Sequence, residues 1–221
     1  MPEIRESLPI TVSNTGPLIL IFQSDSLDLV LALFGRIHTS EACVVELMKH
    51  DWGDALVQAG TAITSDKLTD LESVQAKEFA RRIAVHPASR DAEPDNHLGE
   101  AEVMVLVQRP EFAGSILLLD ELAARAVAVE LNLSVSGFAG VLLMAVDEGL
   151  LTANKVKERL ERCQQQGTHY SIAFIERIYQ TANVLCHVLI HEDSETHYHH
   201  GRGQRTNIRK VKNDDAQRKC A

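Results

Sequence analysis

Short aliphatic runs alternate with longer amphipathic segments along most of the chain. Five runs are bounded by turn residues or by polar positions: 9–13 (PITVS), 36–40 (RIHTS), 62–65 (AITS), 115–120 (SILLLD) and 133–136 (LSVS). Runs of this length predict strands, and SILLLD in particular is typical of a strand buried on both faces.

The segments between these runs have the periodicity of helices packed on one face. Residues 17–34 predict one helix that ends at Gly35. Ser40 is expected to cap a second helix, with Glu41 in its first turn. Other helices are predicted as a pair within 51–84 around the AITS strand, the second capped by Asp66, and over 98–108, 121–132, 138–149, 153–166 and 170–183.

Strands that alternate with helices predict an α/β fold in which a parallel sheet has helices on both sides. In such sheets, ligands bind beyond the carboxyl ends of the strands. Four polar residues are expected there: Asn14 follows the first strand, Asp120 and Glu121 follow SILLLD, and Ser136 ends LSVS. The sequence therefore places its candidate chemistry at one edge of the sheet.

Length, composition and net charge restrict the number of domains, the kind of core and the possible modes of nucleic-acid binding. A chain of 221 residues predicts one domain, or one domain with a tail. The aromatic content of only 5% predicts an aliphatic core, and the net charge of -9 excludes nucleic-acid binding by bulk charge alone. If a nucleic acid is the partner, contact must come from a local patch, a metal or a second subunit.

The C-terminal segment differs in composition from the rest of the chain. Five of the ten histidines fall within 187–200, and residues 201–221 hold seven Lys/Arg against two Asp. This composition favours a flexible polar extension. Metal binding by the histidines and phosphate binding by the basic run remain open at this point.

The cysteines indicate a reducing compartment. Cys43, Cys163, Cys186 and Cys220 are widely spaced and form no CxxC pair, so we expect free thiols and neither a zinc site nor a disulfide framework. No signal peptide or membrane span is predicted, since the apolar stretches are too short. We therefore expect a cytoplasmic protein. No phosphate-binding loop for ATP is present.

Each candidate acid has an ordinary structural explanation when it is taken alone. Asp120 is well placed to cap a helix, and Asn14 before Thr-Gly-Pro suits a turn. Glu46 suits a solvated helix position, and Glu100 and Glu102 are favoured at the start of a helix. The combination of these residues is more informative than any one of them.

Several motifs occur in one order: SNTGPLI, VVEL, LGEAE, LLLDELAAR, VSGFAGVLL and a following Gly-Leu-Leu. Over residues 10–183 the chain resembles the PIN-domain family, and more narrowly its VapC-like or PilT-like branch. The resemblance implies a three-layer α/β/α sandwich around four or five parallel strands. It implies a PIN-like domain over 8–184 and a tail over 185–221.

The resemblance also implies metal-dependent cleavage of RNA. Asn14 occupies the position of the first-strand acid, Glu121 stands where a second Asp is common, and Thr15 would orient this corner through its hydroxyl. Mg²⁺ or Mn²⁺ would be held by Glu46, Glu100 and Asp120, with Asn14 supporting. Hard divalent cations prefer such oxygen ligands together with retained waters.

Two departures from the family pattern keep alternatives open. Asn14 is neutral where an acid is usual, and Glu121 is longer than Asp by one methylene. The first hypothesis is a ribonuclease that acts as the toxin of a toxin–antitoxin pair, with a small antitoxin as partner and a homodimer as the assembly. The apolar helices 137–148 and 170–183 suit a dimer interface, and packing on the protein's own core explains them equally well. The second is a non-catalytic PIN module that binds RNA or protein, and the third is a metal-dependent phosphoesterase with a small substrate.

Overall fold

The fold is taken from a computed structural model that describes residues 9–196. The chain divides into two units, one that ends at Phe138 and one that begins at Ala139. All five strands lie in the first unit.

The first unit is built on a parallel sheet, as predicted. Its strands are β1 Ile10–Ser13, β2 Arg36–Ser40, β3 Ile63–Asp66, β4 Ile116–Leu118 and β5 Val135–Ser136. They lie in the order β3-β2-β1-β4-β5, and every neighbouring pair is parallel. The chain thus builds outward from β1 to one edge and then returns to β4 on the other side of β1.

Seven α-helices connect these strands. They are α1 Thr15–Gln23, α2 Leu27–Phe34, α3 Glu41–Lys49, α4 Gly53–Ala59, α5 Asp70–Val85, α6 Leu98–Leu106 and α7 Leu122–Glu130. Parallel crossovers are right-handed. The reversal of direction at β1 therefore puts α1–α4 on one face of the sheet and α5–α7 on the other, which confirms the α/β/α sandwich.

An aliphatic core holds the sheet to its helices. Val12 of β1 and Leu117 of β4 are fully buried against apolar residues of α5, α6 and α7, such as Ile83 and Met104. Burial of one such side chain is worth roughly 1.5–3 kcal/mol. This packing fixes the strand ends from which the polar residues emerge.

The second unit consists of helices. It contains α8 Phe138–Asp147, apart from its first residue, with α9 Ala153–Gln165 and α10 Ile172–Thr196. Gly149, at φ 68°, follows the end of α8 as predicted. The helix α10 continues past residue 184, so the expected start of the tail lies inside it. The basic run at 201–221 lies outside the described residues.

The predicted single helix over 17–34 is wrong, because the chain forms α1 and α2 there. The break falls at 24–26, where Asp25 takes a positive φ of 53°. The Ser24 hydroxyl donates to the Leu20 carbonyl oxygen at 2.6 Å. Such side-chain bonds compete with helix propagation.

The predicted cap of α5 is also wrong. Thr69 caps this helix, and Glu72 completes a capping box with it. Asp66 is instead the last residue of β3, and its Oδ2 lies 2.6 Å from His38 Nδ1 on β2. Asp66 precedes the helix by four residues and is held by the neighbouring strand. The predicted cap at Ser40 is confirmed, because its hydroxyl accepts a hydrogen bond from the Cys43 N–H at 3.3 Å.

Within residues 9–196, none of the helices combines the length and the apolar character needed to cross a bilayer.

Candidate active site

The two strands at the centre of the sheet end side by side. Ser13 of β1 pairs with Leu118 of β4, and the Asn14 N–H donates to the Leu118 carbonyl oxygen at 3.1 Å. The helices after these strands leave toward opposite faces, which makes this pair the switch point where α/β sheets bind ligands. Asn14 and the residues after Leu118 therefore border one crevice.

Asn14 is buried at this point and caps α1. Its Oδ1 accepts a hydrogen bond from the Gly16 N–H at 2.6 Å. The sequence suggested a turn at Asn14, and the structure shows that Asn14 is also the N-cap of α1. An amide oxygen has two lone pairs, so Oδ1 can accept a second interaction without giving up the cap.

Thr15 connects the end of β1 to α3. Its hydroxyl donates to Glu46 Oε2 at 2.6 Å, and the Glu46 side chain is half-buried. The sequence alone favoured a solvated helix position for Glu46. The structure instead turns this carboxylate toward the strand end that carries Asn14.

Gly99 brings α6 close to the same carboxylate. A Cβ added there would lie 3.4 Å from both Glu46 Oε2 and Cys43 Sγ. The Cys43 thiol donates to the Gly99 carbonyl oxygen at 3.6 Å. The start of α6 therefore packs against α3 at Gly99, and the next residue is Glu100.

Glu100 lies near two other candidate acids, whose charges affect its pKa. Burial raises the pKa of Glu100 above its ordinary value, and the negative charges of Glu46 and Glu121 raise it further. A backbone hydrogen bond and the nearby His97 act in the opposite direction. Burial is the largest cause of this rise, and Glu46 and Glu121 are near enough for their charges to add to it.

Asp120 has one satisfied and one unsatisfied oxygen. Its Oδ1 accepts a hydrogen bond from the Phe138 N–H at 3.1 Å, whereas the buried Oδ2 has no hydrogen-bond partner in the described part of the chain. Burial raises the pKa of Asp120 to about 6, although the Phe138 N–H and Arg125 oppose the rise. An unpaired buried carboxylate oxygen is costly and calls for a cation or a proton.

Glu121 has the capping role that the sequence suggested for Asp120. Its Oε2 accepts a hydrogen bond from the Ala124 N–H at 2.5 Å and so caps α7. Asp120 is thereby free of the helix terminus and remains beside the start of α8. This exchange follows from where α7 begins, one residue later than the sequence indicated.

Two other polar candidates are engaged elsewhere. The Ser136 hydroxyl donates to the Gly137 carbonyl oxygen at 3.2 Å. Glu102 Oε2 accepts a hydrogen bond from the Ala42 N–H at 3.3 Å and so connects α6 to the start of α3. Both contacts are structural, and neither directs its side chain to the Asp120 carboxyl.

The donor set suits a divalent metal chemically, but the side chains are not gathered into a finished cage. Among the described residues, no group of three or more His, Cys, Asp or Glu side chains is arranged to hold an ion. Glu46 and Glu121 are each turned toward a hydrogen-bond donor of the protein. Mg²⁺ commonly uses only one or two carboxylates and several waters, so the unpartnered Asp120 Oδ2 is a suitable ligand.

Sequence reasoning gave no role to two residues beside Asp120. A Cβ added at Gly137 would lie 2.5 Å from Asp120 Oδ1 and 2.9 Å from Arg125 Nη1. The signals were present as the Arg of LLLDELAAR and the Gly of VSGF. Only the packing of α7 against the end of β5 brings both to the Asp120 carboxyl.

The doubly wound parallel sheet, with Asn14 beyond β1 and the acids Asp120 and Glu121 beyond β4, has a nuclease-like α/β fold. A model of the PIN-domain family matches residues 10–184, and the chain belongs to this family. No curated protein and no solved structure matches it. PIN domains are generally nucleases and typically bind divalent metals.

Proposed function

We propose that the protein is a metal-dependent ribonuclease of the VapC-like branch, the toxin of a toxin–antitoxin pair. The observation that carries the proposal is the buried, unpartnered Asp120 Oδ2, which lies at the switch point of the sheet. The raised pKa of Glu100, caused first by burial and then by Glu46 and Glu121, supports it. Clustered acids of this kind are stabilised by a cation.

Glu46, Glu100 and Asp120 would hold Mg²⁺ or Mn²⁺, with Asn14 contributing its amide oxygen. When bound, the ion supplies polarisation of the phosphoryl group and a lower pKa for an attacking water. Hydrolysis of a phosphodiester consumes water and needs no ATP. Glu121 adds negative charge at the rim of the same site.

The chain's own groups orient these ligands. The Thr15 hydroxyl holds Glu46, and the Phe138 N–H holds Oδ1 of Asp120, which leaves Oδ2 directed to another partner. The backbone of Asn14 is fixed by its hydrogen bond to Leu118. Ligands held by packing and by such bonds lose little freedom on binding.

The partners and location are proposed on narrower grounds. RNA is the proposed substrate, a small antitoxin the proposed inhibitor, and a homodimer the proposed assembly; all three rest on the family branch. The free thiols Cys43, Cys163 and Cys186 favour a reducing compartment such as the cytoplasm.

A second candidate is a non-catalytic PIN module that binds RNA or protein. Two observations favour it. Asn14 lacks the charge of an acid, and no three acidic side chains within the described residues form a ready metal cluster. Such a module would bind its partner without consuming it.

The test combines melting and cleavage on wild type, Asp120→Asn and the control Asp28→Asn, an exposed acid on α2. Melting temperatures are measured without metal and with Mg²⁺ or Mn²⁺, and cleavage is measured on mixed structured RNAs. We expect metal-dependent stabilisation and cleavage in wild type and in the control, and neither in Asp120→Asn. Absence of both effects in wild type would favour the binding module.

A further inference from the structure

Arg125 lies near the candidate acid Asp120. It is half-buried on α7, where its N–H donates to the Glu121 carbonyl oxygen at 3.0 Å. A Cβ added at Gly137 would be 2.9 Å from Arg125 Nη1 and 2.5 Å from Asp120 Oδ1. The guanidinium and the Asp120 carboxyl therefore both border the space that a side chain at Gly137 would occupy.

The side chain of Arg125 forms no hydrogen bond and no ion pair with any residue in the described part of the chain. Its effect on Asp120 is a charge effect at longer range. Three other arginines differ in this respect, because Arg81, Arg82 and Arg109 are each paired with a glutamate. Arg125 thus combines partial burial, closeness to an acid and an unused set of five N–H donors.

A positively charged side chain in an acidic crevice would offset the repulsion between the acids and an anionic ligand. Glu46, Glu100, Asp120 and Glu121 all repel a phosphate group that approaches the strand ends. The planar guanidinium offers two parallel N–H groups that match two oxygens of a phosphate. Glycine at 137 keeps open the space between Arg125 and Asp120 that any other side chain would fill.

We propose that Arg125 binds the non-bridging oxygens of an RNA phosphate at the carboxylate edge of the sheet. This inference rests on the proposed ribonuclease function and adds a substrate-binding residue to it. Arg125 would hold the phosphate on the side of the site formed by α7 and the start of α8.

The test is RNA binding by fluorescence anisotropy, with a fluorescein-labelled single-stranded RNA of mixed sequence as the probe and Ca²⁺ in place of Mg²⁺ to suppress cleavage. Wild type, Arg125→Gln and Arg125→Lys are titrated at several salt concentrations. Arg81→Gln, which removes an exposed arginine from α5, is the matched control. Melting temperatures establish that each variant is folded.

We expect Arg125→Gln to weaken binding by about tenfold, as for a lost charge-assisted hydrogen bond. The slope of log Kd against log salt should fall in magnitude by about 0.7, the value for one phosphate contact on a single strand. Arg125→Lys should keep the slope but bind more weakly than wild type, because a lysine is not a bidentate donor. Arg81→Gln should leave both quantities unchanged.

Two results would overturn the assignment of Arg125 while the ribonuclease proposal stands. One is wild-type affinity and slope in Arg125→Gln. The other is weaker binding with an unchanged slope, which would mean that Arg125 acts only through Asp120 or through packing. If wild type neither binds the probe nor cleaves RNA in Mg²⁺ or Mn²⁺, the proposed function fails and this inference fails with it.

Discussion

The hydroxyl of Thr15 donates a 2.6 Å hydrogen bond to Oε2 of Glu46 and so joins the end of β1 to α3. Thr15 is buried, whereas Glu46 is only half-buried. A carboxylate in a partly open position has several rotamers available, and this bond selects one. The contact therefore determines where Glu46 can reach from α3.

Removal of this hydroxyl is expected to impair the site more than the fold. Thr15→Val should lower the RNA cleavage rate by about tenfold to a hundredfold, the range for lost outer contacts of metal ligands. Thr15→Ser keeps the donor and should retain most of the activity. Cleavage rates as a function of Mg²⁺ concentration provide the measurement, and equal rates in Thr15→Val and Thr15→Ser would contradict the orienting role.

Asp120 is expected to make stability depend on pH in the absence of metal. Burial raises the pKa of Asp120 to about 6, above the ordinary value of 3.8. Between these two values the folded protein holds a proton that the unfolded chain has released, so stability falls as pH rises. The loss is complete above about pH 6 and amounts to at most about 3 kcal/mol.

Denaturant melts in EDTA at a series of pH values measure this effect. Asp120→Asn should be more stable than wild type at pH 7, and the difference should disappear near pH 4. Glu100, whose pKa is also raised by burial, changes in the same direction in both proteins and cancels in the comparison. A constant difference between the two proteins across this range would exclude a raised pKa at Asp120.

Asn14→Asp is expected to strengthen metal binding. Aspartate caps a helix as well as asparagine does, so the hydrogen bond from the Gly16 N–H should persist. The added charge at the switch point should lower the Mg²⁺ concentration for half-maximal stabilisation by about tenfold, and repulsion among the acids should lower the melting temperature without metal. Melting curves over a Mg²⁺ series test both changes; unchanged curves would mean that Asn14 does not face the ion.

Gly137→Ala is expected to damage the site directly. The new Cβ would lie 2.5 Å from Asp120 Oδ1 and 2.9 Å from Arg125 Nη1, so at least one of these side chains must move. We expect a loss of stability of about 1–3 kcal/mol and a loss of RNA cleavage. Gly53→Ala is the control, since its Cβ would meet only Met48 Cγ at 3.8 Å. Full activity of Gly137→Ala would show that this corner does not touch the reaction.

Glu72 stabilises the fold at a distance from the acids of the site. Its two carboxylate oxygens accept hydrogen bonds from Arg109 at 2.7 and 2.9 Å, and Oε2 also accepts the Thr69 N–H at 2.7 Å. The hydrogen bond from Arg109 and then that from the Thr69 backbone lower the pKa of Glu72 to about 2. The stabilisation is therefore present above the ordinary value of 4.5 and is lost as pH falls toward 2.

Glu72→Gln should cost about 1–2 kcal/mol at pH 7. The control Glu78→Gln breaks only an exposed pair with Arg81 and should cost less than about 0.5 kcal/mol. Urea denaturation at pH 7 and near pH 3 distinguishes the two variants. A cost for Glu72→Gln that does not shrink toward low pH would assign the effect to packing.

Local pattern was sufficient to predict the class of fold. The short aliphatic runs form β1–β5 because strands of a parallel sheet are buried by helices on both faces and must be apolar. The segments between them are amphipathic and have recognisable ends, as at Ser40 and Gly149. The PIN-domain resemblance over these elements agrees with the family match over residues 10–184.

Local pattern was not sufficient where two signals competed within a few residues. In residues 17–34 the helical pattern of apolar residues is continuous, so it does not indicate the break at Asp25, which has a positive φ. Before α5, Asp66 and Thr69 are both suitable N-cap residues. The Asp66 carboxylate is instead in contact with His38 on the neighbouring strand β2. The same competition gave the cap of α7 to Glu121 rather than to Asp120.

Through its resemblance to the PIN-domain family, the sequence by itself predicted a set of site residues: Asn14, Glu46, Glu100, Asp120 and Glu121. Only the tertiary structure decided what each carboxylate faces. The hydrogen bond from Thr15 to Glu46 joins two separate segments of the chain, and so does the position of Arg125 beside Gly137. The same tertiary packing leaves Oδ2 of Asp120 buried without a hydrogen-bond partner among the described residues. Such contacts depend on how closely helices approach the sheet, and no periodicity along the chain encodes that distance.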